Sequence, residues 1–155
     1  MRERPPRYVL RARTTVARPL AEVFTFFSAA ENLARITPPE MGFVILTPRP
    51  IDMRVGTRID YRIRVLGVPL RWRTLIDVWE PGARFVDAQE RGPYASWWHE
   101  HRFREEDGRT VMDDTVLYAP PFGPLGRVSQ HLIVARQLRH IFAYRAETIV
   151  RLFGR

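Results

Sequence analysis

The feature that most narrows the fold is a switch in hydrophobic period. After Gly126 the chain runs to Phe153 with neither proline nor glycine. Val128, Leu132, Ala135, Leu138, Phe142, Ala146, Ile149 and Phe153 recur there at three- and four-residue steps. That spacing lays one apolar stripe along a long helix. Upstream, the alternation is single. Ile59, Tyr61, Ile63 and Val65 alternate with Arg58, Asp60, Arg62 and Arg64, and Leu70, Trp72, Thr74, Ile76 and Val78 oppose Arg71, Arg73 and Asp77. A period of two gives a strand with one covered face and one wet face. A sheet with one apolar face and one amphipathic helix bury those surfaces against each other, an α+β layer packing.

The other segments fit that frame. Residues 8–16 read as a strand. Pro19 suits a helix first turn and is followed by Leu20, Val23, Phe24 and Phe27 at helical spacing. A second short helix, about 29–36, stops before Thr37-Pro38-Pro39. Strands are expected over 41–47, 57–66, 68–80, 84–90, 95–106 and 109–119. Residues 1–7, ending in Pro5-Pro6-Arg7, read as a flexible leader, and 1–155 as one domain.

Composition excludes several chemistries. The chain has no cysteine, so disulfides, thiolate nucleophiles and zinc–thiolate sites are ruled out. Its net charge is +8, and every basic residue is arginine. Such a balance can serve nucleic acid or anionic membranes; a genome-wide replacement of lysine by arginine is the plainer account. No apolar stretch has the length of a signal peptide or a membrane span, and a cytoplasmic location is expected.

This order of elements resembles the START-like superfamily, also called SRPBCC. It includes the birch pollen allergen fold, polyketide aromatase/cyclases and lipid-transfer START domains. Phe85-Val86-Asp87-Ala88-Gln89, Gly92-Pro93-Tyr94, Trp97, His99, His101 and Phe103, then Thr110, Asp114, Tyr118 and Pro121, look like a bacterial subgroup of it. The resemblance implies a helix-grip fold. In it a curved antiparallel sheet of about six to seven strands wraps the long C-terminal helix, with two short helices after the first strand. It implies an internal cavity for a small hydrophobic or amphipathic molecule, a lipid or polyketide, and no cofactor. It does not fix an activity, because some members are enzymes and others only bind.

Turn chemistry assigns faces. Asp107-Gly108 is a strong two-residue hairpin turn. Around it Phe103 faces Met112, His101 faces Asp114, His99 faces Val116 and Trp97 faces Tyr118. This aromatic-rich set is assigned to the concave, helix-facing side. A second turn centred on Gly67-Val68 would set Val65 against Leu70, Ile63 against Trp72 and Tyr61 against Thr74. On the outer face it sets Arg64 against Arg71, Arg62 against Arg73 and Arg58 against Asp77. The ligand-facing set is then Tyr61, Ile63, Trp72, Ile76, Gln89, Trp97, His99, His101, Phe103, Met112, Asp114 and Tyr118 from the sheet, with Leu138 and Phe142 from the helix. An apolar cavity with a few placed polar groups is the usual make-up of a small-molecule site.

Binding ranks ahead of catalysis. His101 and Asp114, with Tyr118, could serve as the acid/base group of a cyclase; a buried polar pair that only satisfies itself is the simpler alternative. His99 and His101, with Asp114, have the spacing for one metal, but His-x-His is a weak signal and no metal is assigned. The arginines Arg62, Arg64, Arg71 and Arg73 could form a basic convex face for membrane or partner docking. Nucleic acid is set aside, since the aromatics lie on the other face and cannot stack on bases. His131 is placed near the cavity and His140 on the surface. Trp79 and Trp98 are placed on the convex face, where they could mark a dimer contact; monomer and homodimer are both compatible with the sequence. Gly123, Pro124 and Gly126 read as a hinge into the long helix.

Overall fold

A computed structural model describes residues 5–154, the side chain of His131 excepted. The strands are β1 (Tyr8–Val16), β2 (Val44–Ile45), β3 (Arg58–Val65), β4 (Val68–Glu80), β5 (Arg84–Arg91), β6 (Ser96–Glu106) and β7 (Arg109–Ala119). They form one antiparallel sheet in the order β1-β7-β6-β5-β4-β3-β2. Helix α1 (Leu20–Ser28) follows Pro19 and buries Val23 and Phe24. A 3₁₀ segment, Ala30–Ile36, comes next. After β7 the chain enters α2 (Gly126–Ser129), a π-helical turn (Gln130–Val134) and α3 (Ala135–Phe153). This is the helix-on-sheet arrangement the period switch required.

The β6–β7 register is the expected one. Asp107 and Gly108 both sit at positive φ, 51° and 74°, and Phe103 pairs with Met112, His101 with Asp114 and Trp97 with Tyr118. The β3–β4 register differs from expectation. The turn is Leu66-Gly67, at φ 51° and 79°, so Val65 meets Val68, Ile63 meets Leu70 and Tyr61 meets Trp72. Each partner moves by two residues, so every side chain keeps its face. The outer pairs change as well: Arg73 bonds Asp60 through two nitrogens at 2.8 and 3.0 Å, and Arg58 bonds Glu90 at 2.9 Å.

Two irregularities interrupt the β4–β5 ladder, at Arg73/Thr74 and at Ile76/Val78. The second inserts Asp77 and reverses the alternation beyond it. Trp79 therefore faces the core, not the convex side, and its ring lies 5.5 Å from that of Phe24. Trp98 is half-buried on the outer face. That face is largely a lattice of ion pairs. Arg84 bridges Glu80 and Glu100, Arg102 joins Glu100, and Arg13 and Arg104 share Asp113. In the expected cationic patch Arg62, not Arg64, stands opposite Arg71, and Arg73 is neutralised by Asp60.

The helix stripe is shifted from its sequence reading. The buried positions are Gln130, Val134, Leu138, Phe142, Thr148 and Ile149, whereas Val128 and Leu132 are exposed. The π turn takes up an extra residue, which rotates the stripe between the two helical pieces. Under the helix the core has two ends. One gathers Val16, Phe24, Phe85, Phe103, Met112 and Ile149. The other gathers Val116, Tyr118, Val134, Leu138 and Phe142. Trp72, Ile63 and Met41 form a third cluster under β3 and β4.

Candidate functional site

The space among these clusters is not filled. A cavity of about 580 Å³ lies between the concave face of the sheet and the helix. Ile59, Ile63, Trp72 and Ile76 come to it from β3 and β4, Phe85 and Trp97 from β5 and β6, and Leu138, Ile141 and Phe142 from α3. Leu66 and Phe122 also line it, yet each is 72% exposed, so they frame its opening. The opening thus lies between the β3–β4 hairpin and the segment that leads into the helix.

The buried carboxylate and imidazole groups are gathered on one wall. On β5, Phe85 and Asp87 share the concave face by the strand period. The β5–β6 register brings Asp87 opposite His99 and Phe85 opposite His101. The β6–β7 register brings Asp114 opposite His101. The outcome is a closed group with two imidazoles between two carboxylates. His99 Nε2 lies 2.8 Å from Asp114 Oδ1, and His101 Nδ1 lies 3.0 Å from the same oxygen. His101 Nε2 lies 2.5 Å from Asp87 Oδ2, and His99 Nδ1 is farther from it at 3.6 Å. The imidazole ring centroids lie 3.7 Å apart at a tilt of 33°, and Phe85 stacks on His101 at 4.1 Å.

Charge follows from that geometry. Burial opposes a charged imidazole at His101, but its hydrogen bonds to Asp114 and Asp87 outweigh burial and raise its pKa. At His99, burial and then the charge on His101 lower the pKa, against the pull of both carboxylates. Burial alone would raise Asp114, yet the two histidines hold it well below the usual carboxylate range. Asp87 is likewise held down by the histidines against burial. His101, between the two carboxylates, is therefore the imidazole whose charged form the group favours, and His99 the one whose neutral form it favours.

Asp87, His99 and His101 present donor atoms all within 4.8 Å of one another. The 2.5 Å contact between Asp87 and His101 is closer than two ligands of one tetrahedral zinc, which stand about 3.3 Å apart. The spacing fits a shared proton better than a shared metal.

Most of the expected ligand-facing residues do line the cavity: Tyr61, Ile63, Trp72, Ile76, Trp97, His99, His101, Leu138 and Phe142. Five others are placed elsewhere, each for a local reason. Phe103 and Met112 are buried in the core beneath α1. Asp114 stands behind the histidines and holds them. The Tyr118 hydroxyl is taken up by Gln130 Nε2, which donates to it at 2.6 Å. Gln89 turns to the backbone of Tyr94, accepting its N–H at 3.1 Å and donating to its carbonyl at 2.9 Å. His140 is on the surface beside Glu40, and the side chain of His131 lies outside the described residues.

Sequence reasoning missed Asp87, Phe85 and Arg145, which all line the cavity. Asp87 was within reach, because it lies two residues from Gln89 on the same face. Arg145 was too: it follows Phe142 by three and precedes Ile149 by four, on the buried stripe.

No protein-family model matches the chain, and no curated protein matches it. Solved structures do. Protein CV1439 from Chromobacterium violaceum is 17% identical with a TM-score of 0.72, over 95% of this chain and 97% of that one. The Zhui aromatase/cyclase from Streptomyces sp. R1128 is 19% identical with a TM-score of 0.68, over 94% and 95%. A START superfamily protein from Mycobacterium smegmatis is 12% identical with a TM-score of 0.67, over 93% and 98%. These likenesses show that the chain shares the helix-grip fold of these structures. Among the described residues no helix is long and apolar enough to cross a membrane.

Proposed function

We propose that this START-like helix-grip domain binds a small, largely apolar molecule that carries one polar group. The observation that carries the reading is the make-up of the cavity wall. Aromatic and aliphatic side chains make most of it, Asp87, His99, His101 and Arg145 supply its ionisable groups, and Tyr61, Thr74, Asn32, Thr37, Ser129 and Gln137 add neutral polar ones. Such a wall rewards burial of an apolar body and fixes its orientation by one end. A START superfamily protein and an aromatase/cyclase of the same fold give the reading support from outside the chain.

The test is titration with Nile red, a neutral dye whose emission reports an apolar surrounding. Saturable binding of one dye per chain is expected, with quenching of Trp72 and Trp97. Ile141→Trp fills the cavity from the helix side and is expected to abolish binding while the thermal unfolding curve stays cooperative. Dye binding that does not saturate, or that ignores the filling substitution, overturns the proposal.

A second reading is favoured by the Asp87–His101 pair. It is a short hydrogen bond in the cavity wall, carrying a proton that can be exchanged with a bound carbonyl compound. Under this reading the domain is an acid/base enzyme of aromatase/cyclase type. It is checked by deuterium incorporation from solvent into an enolisable aromatic ketone. Incorporation is expected to fall in Asp87→Asn and His101→Gln, and equal incorporation without protein removes the reading.

A further inference from the structure

Arg145 is the least expected residue in the cavity. It projects from the buried stripe of α3 into a space walled mainly by aromatic and aliphatic side chains. It is half-buried, and its Nε is fully buried with no hydrogen-bond partner. Among the described residues it forms no ion pair. Its guanidinium carbon lies over the face of Phe142, 5.1 Å from the ring centroid. Asp87 is near enough to feel its charge but is already bonded to His101. A guanidinium drawn into an apolar space without an acceptor costs stability, so such groups are almost always paired.

A second donor has the same deficit. Trp72 lines the same cavity, is 6% exposed, and its indole Nε1 has no partner. Tyr61 stacks on Trp72 at 5.8 Å, and Ile141, one turn before Arg145 on α3, packs against the same Trp72 cluster. An indole N–H and a guanidinium can only donate. Whatever completes this wall must therefore accept, and beside an unpaired positive charge the favoured acceptor is an anion. A planar carboxylate matches the guanidinium fork.

We propose that Arg145 and Trp72 form the head-group subsite of the cavity, and that the ligand class is an amphipathic carboxylate with its apolar body among the aromatic walls. This rests on the cavity-binding reading above and deepens it. It separates the polar wall into two parts with different work. The Asp87–His99–His101–Asp114 group is internally satisfied, whereas Arg145 and Trp72 await a ligand.

The experiment compares matched acids and alcohols by isothermal titration calorimetry: dodecanoate with dodecanol, and naphthoate with naphthol. In the wild type each acid is expected to bind about tenfold or more tightly than its alcohol, the worth of a charge-assisted hydrogen bond. Arg145→Met is expected to abolish that preference, weakening the acids far more than the alcohols, while Arg145→Lys keeps part of it. Because Arg145→Met removes a buried donor that has no partner, its ligand-free form is expected to melt higher than the wild type. Equal affinity for acid and alcohol in the wild type overturns the subsite and leaves the cavity reading standing. Failure of all four compounds to bind counts against the cavity reading itself. An acid preference that survives Arg145→Met, or a lowered melting point in that variant, shows that Arg145 is satisfied within the protein and overturns the assignment.

Discussion

Asp114→Asn is the substitution that most directly probes the buried histidine group. The carboxylate stands 2.8 Å from His99 Nε2 and 3.0 Å from His101 Nδ1, with a side chain only 13% exposed. Removing one partner from a buried charged pair costs about 3–5 kcal/mol when the other charge is stranded. Here His101 can release its proton, and the amide oxygen still accepts one of the two bonds, so the expected loss is about 2–4 kcal/mol. That is a large part of a total stability of about 5–15 kcal/mol.

The pH profile carries more information than the loss alone. His101 has a raised pKa in the folded protein. Its contribution is complete below the unfolded value near 6.5 and is lost as pH rises through the folded value. His99 has a lowered pKa, so its contribution is complete above 6.5 and is lost as pH falls through its folded value. Wild-type stability should therefore climb toward about pH 6.5 and decline beyond it. In Asp114→Asn, His101 keeps Asp87 as its one carboxylate partner, so the decline above pH 6.5 should shrink while the acid-side rise persists. Urea unfolding between pH 5 and 9, at constant m, measures both features. A loss below about 0.5 kcal/mol, or an Asn variant whose alkaline decline is as large as that of the wild type, would refute the charge assignment.

Further substitutions check the packing that positions the site. Leu138→Ala, at a helix position that is 2% exposed, should cost about 2–5 kcal/mol by chemical denaturation and enlarge the cavity. Thr110→Val should cost about 1–3 kcal/mol, because the fully buried hydroxyl donates to the Arg18 carbonyl at 2.7 Å and ties β7 to the start of α1. Gly92→Ala should cost about 1–3 kcal/mol, since the added Cβ would lie 2.5 Å from Gln89 Oε1. Combining it with Gln89→Ala should give a loss well short of additive, because the same latch to Tyr94 is broken in both.

The strands, their faces and the long helix could be read along the chain, because alternation and three-to-four spacing are local properties of the sequence. His99 and His101 were placed on the concave face by period two, and His101 against Asp114 by the Asp107-Gly108 turn. The Leu66-Gly67 turn was misplaced because a leucine at φ 51° is a conformation its side chain disfavours and no local pattern announces it. The Asp77 bulge, which turns Trp79 inward, is set by how β4 must bend against β5.

What only the tertiary structure decided is which residues meet across elements distant in sequence. Asp87 reaches the histidines because β5 lies beside β6 in a particular register, and Gln89 bonded to Tyr94 holds the turn between them. Arg145 enters the cavity because the π turn sets the rotation of the helix that carries it. The sequence by itself determined one apolar face on a sheet and one on a helix. Where those faces fail to close, and so leave a cavity with a charged wall, depends on register and helix rotation, which are decided by packing across the whole domain.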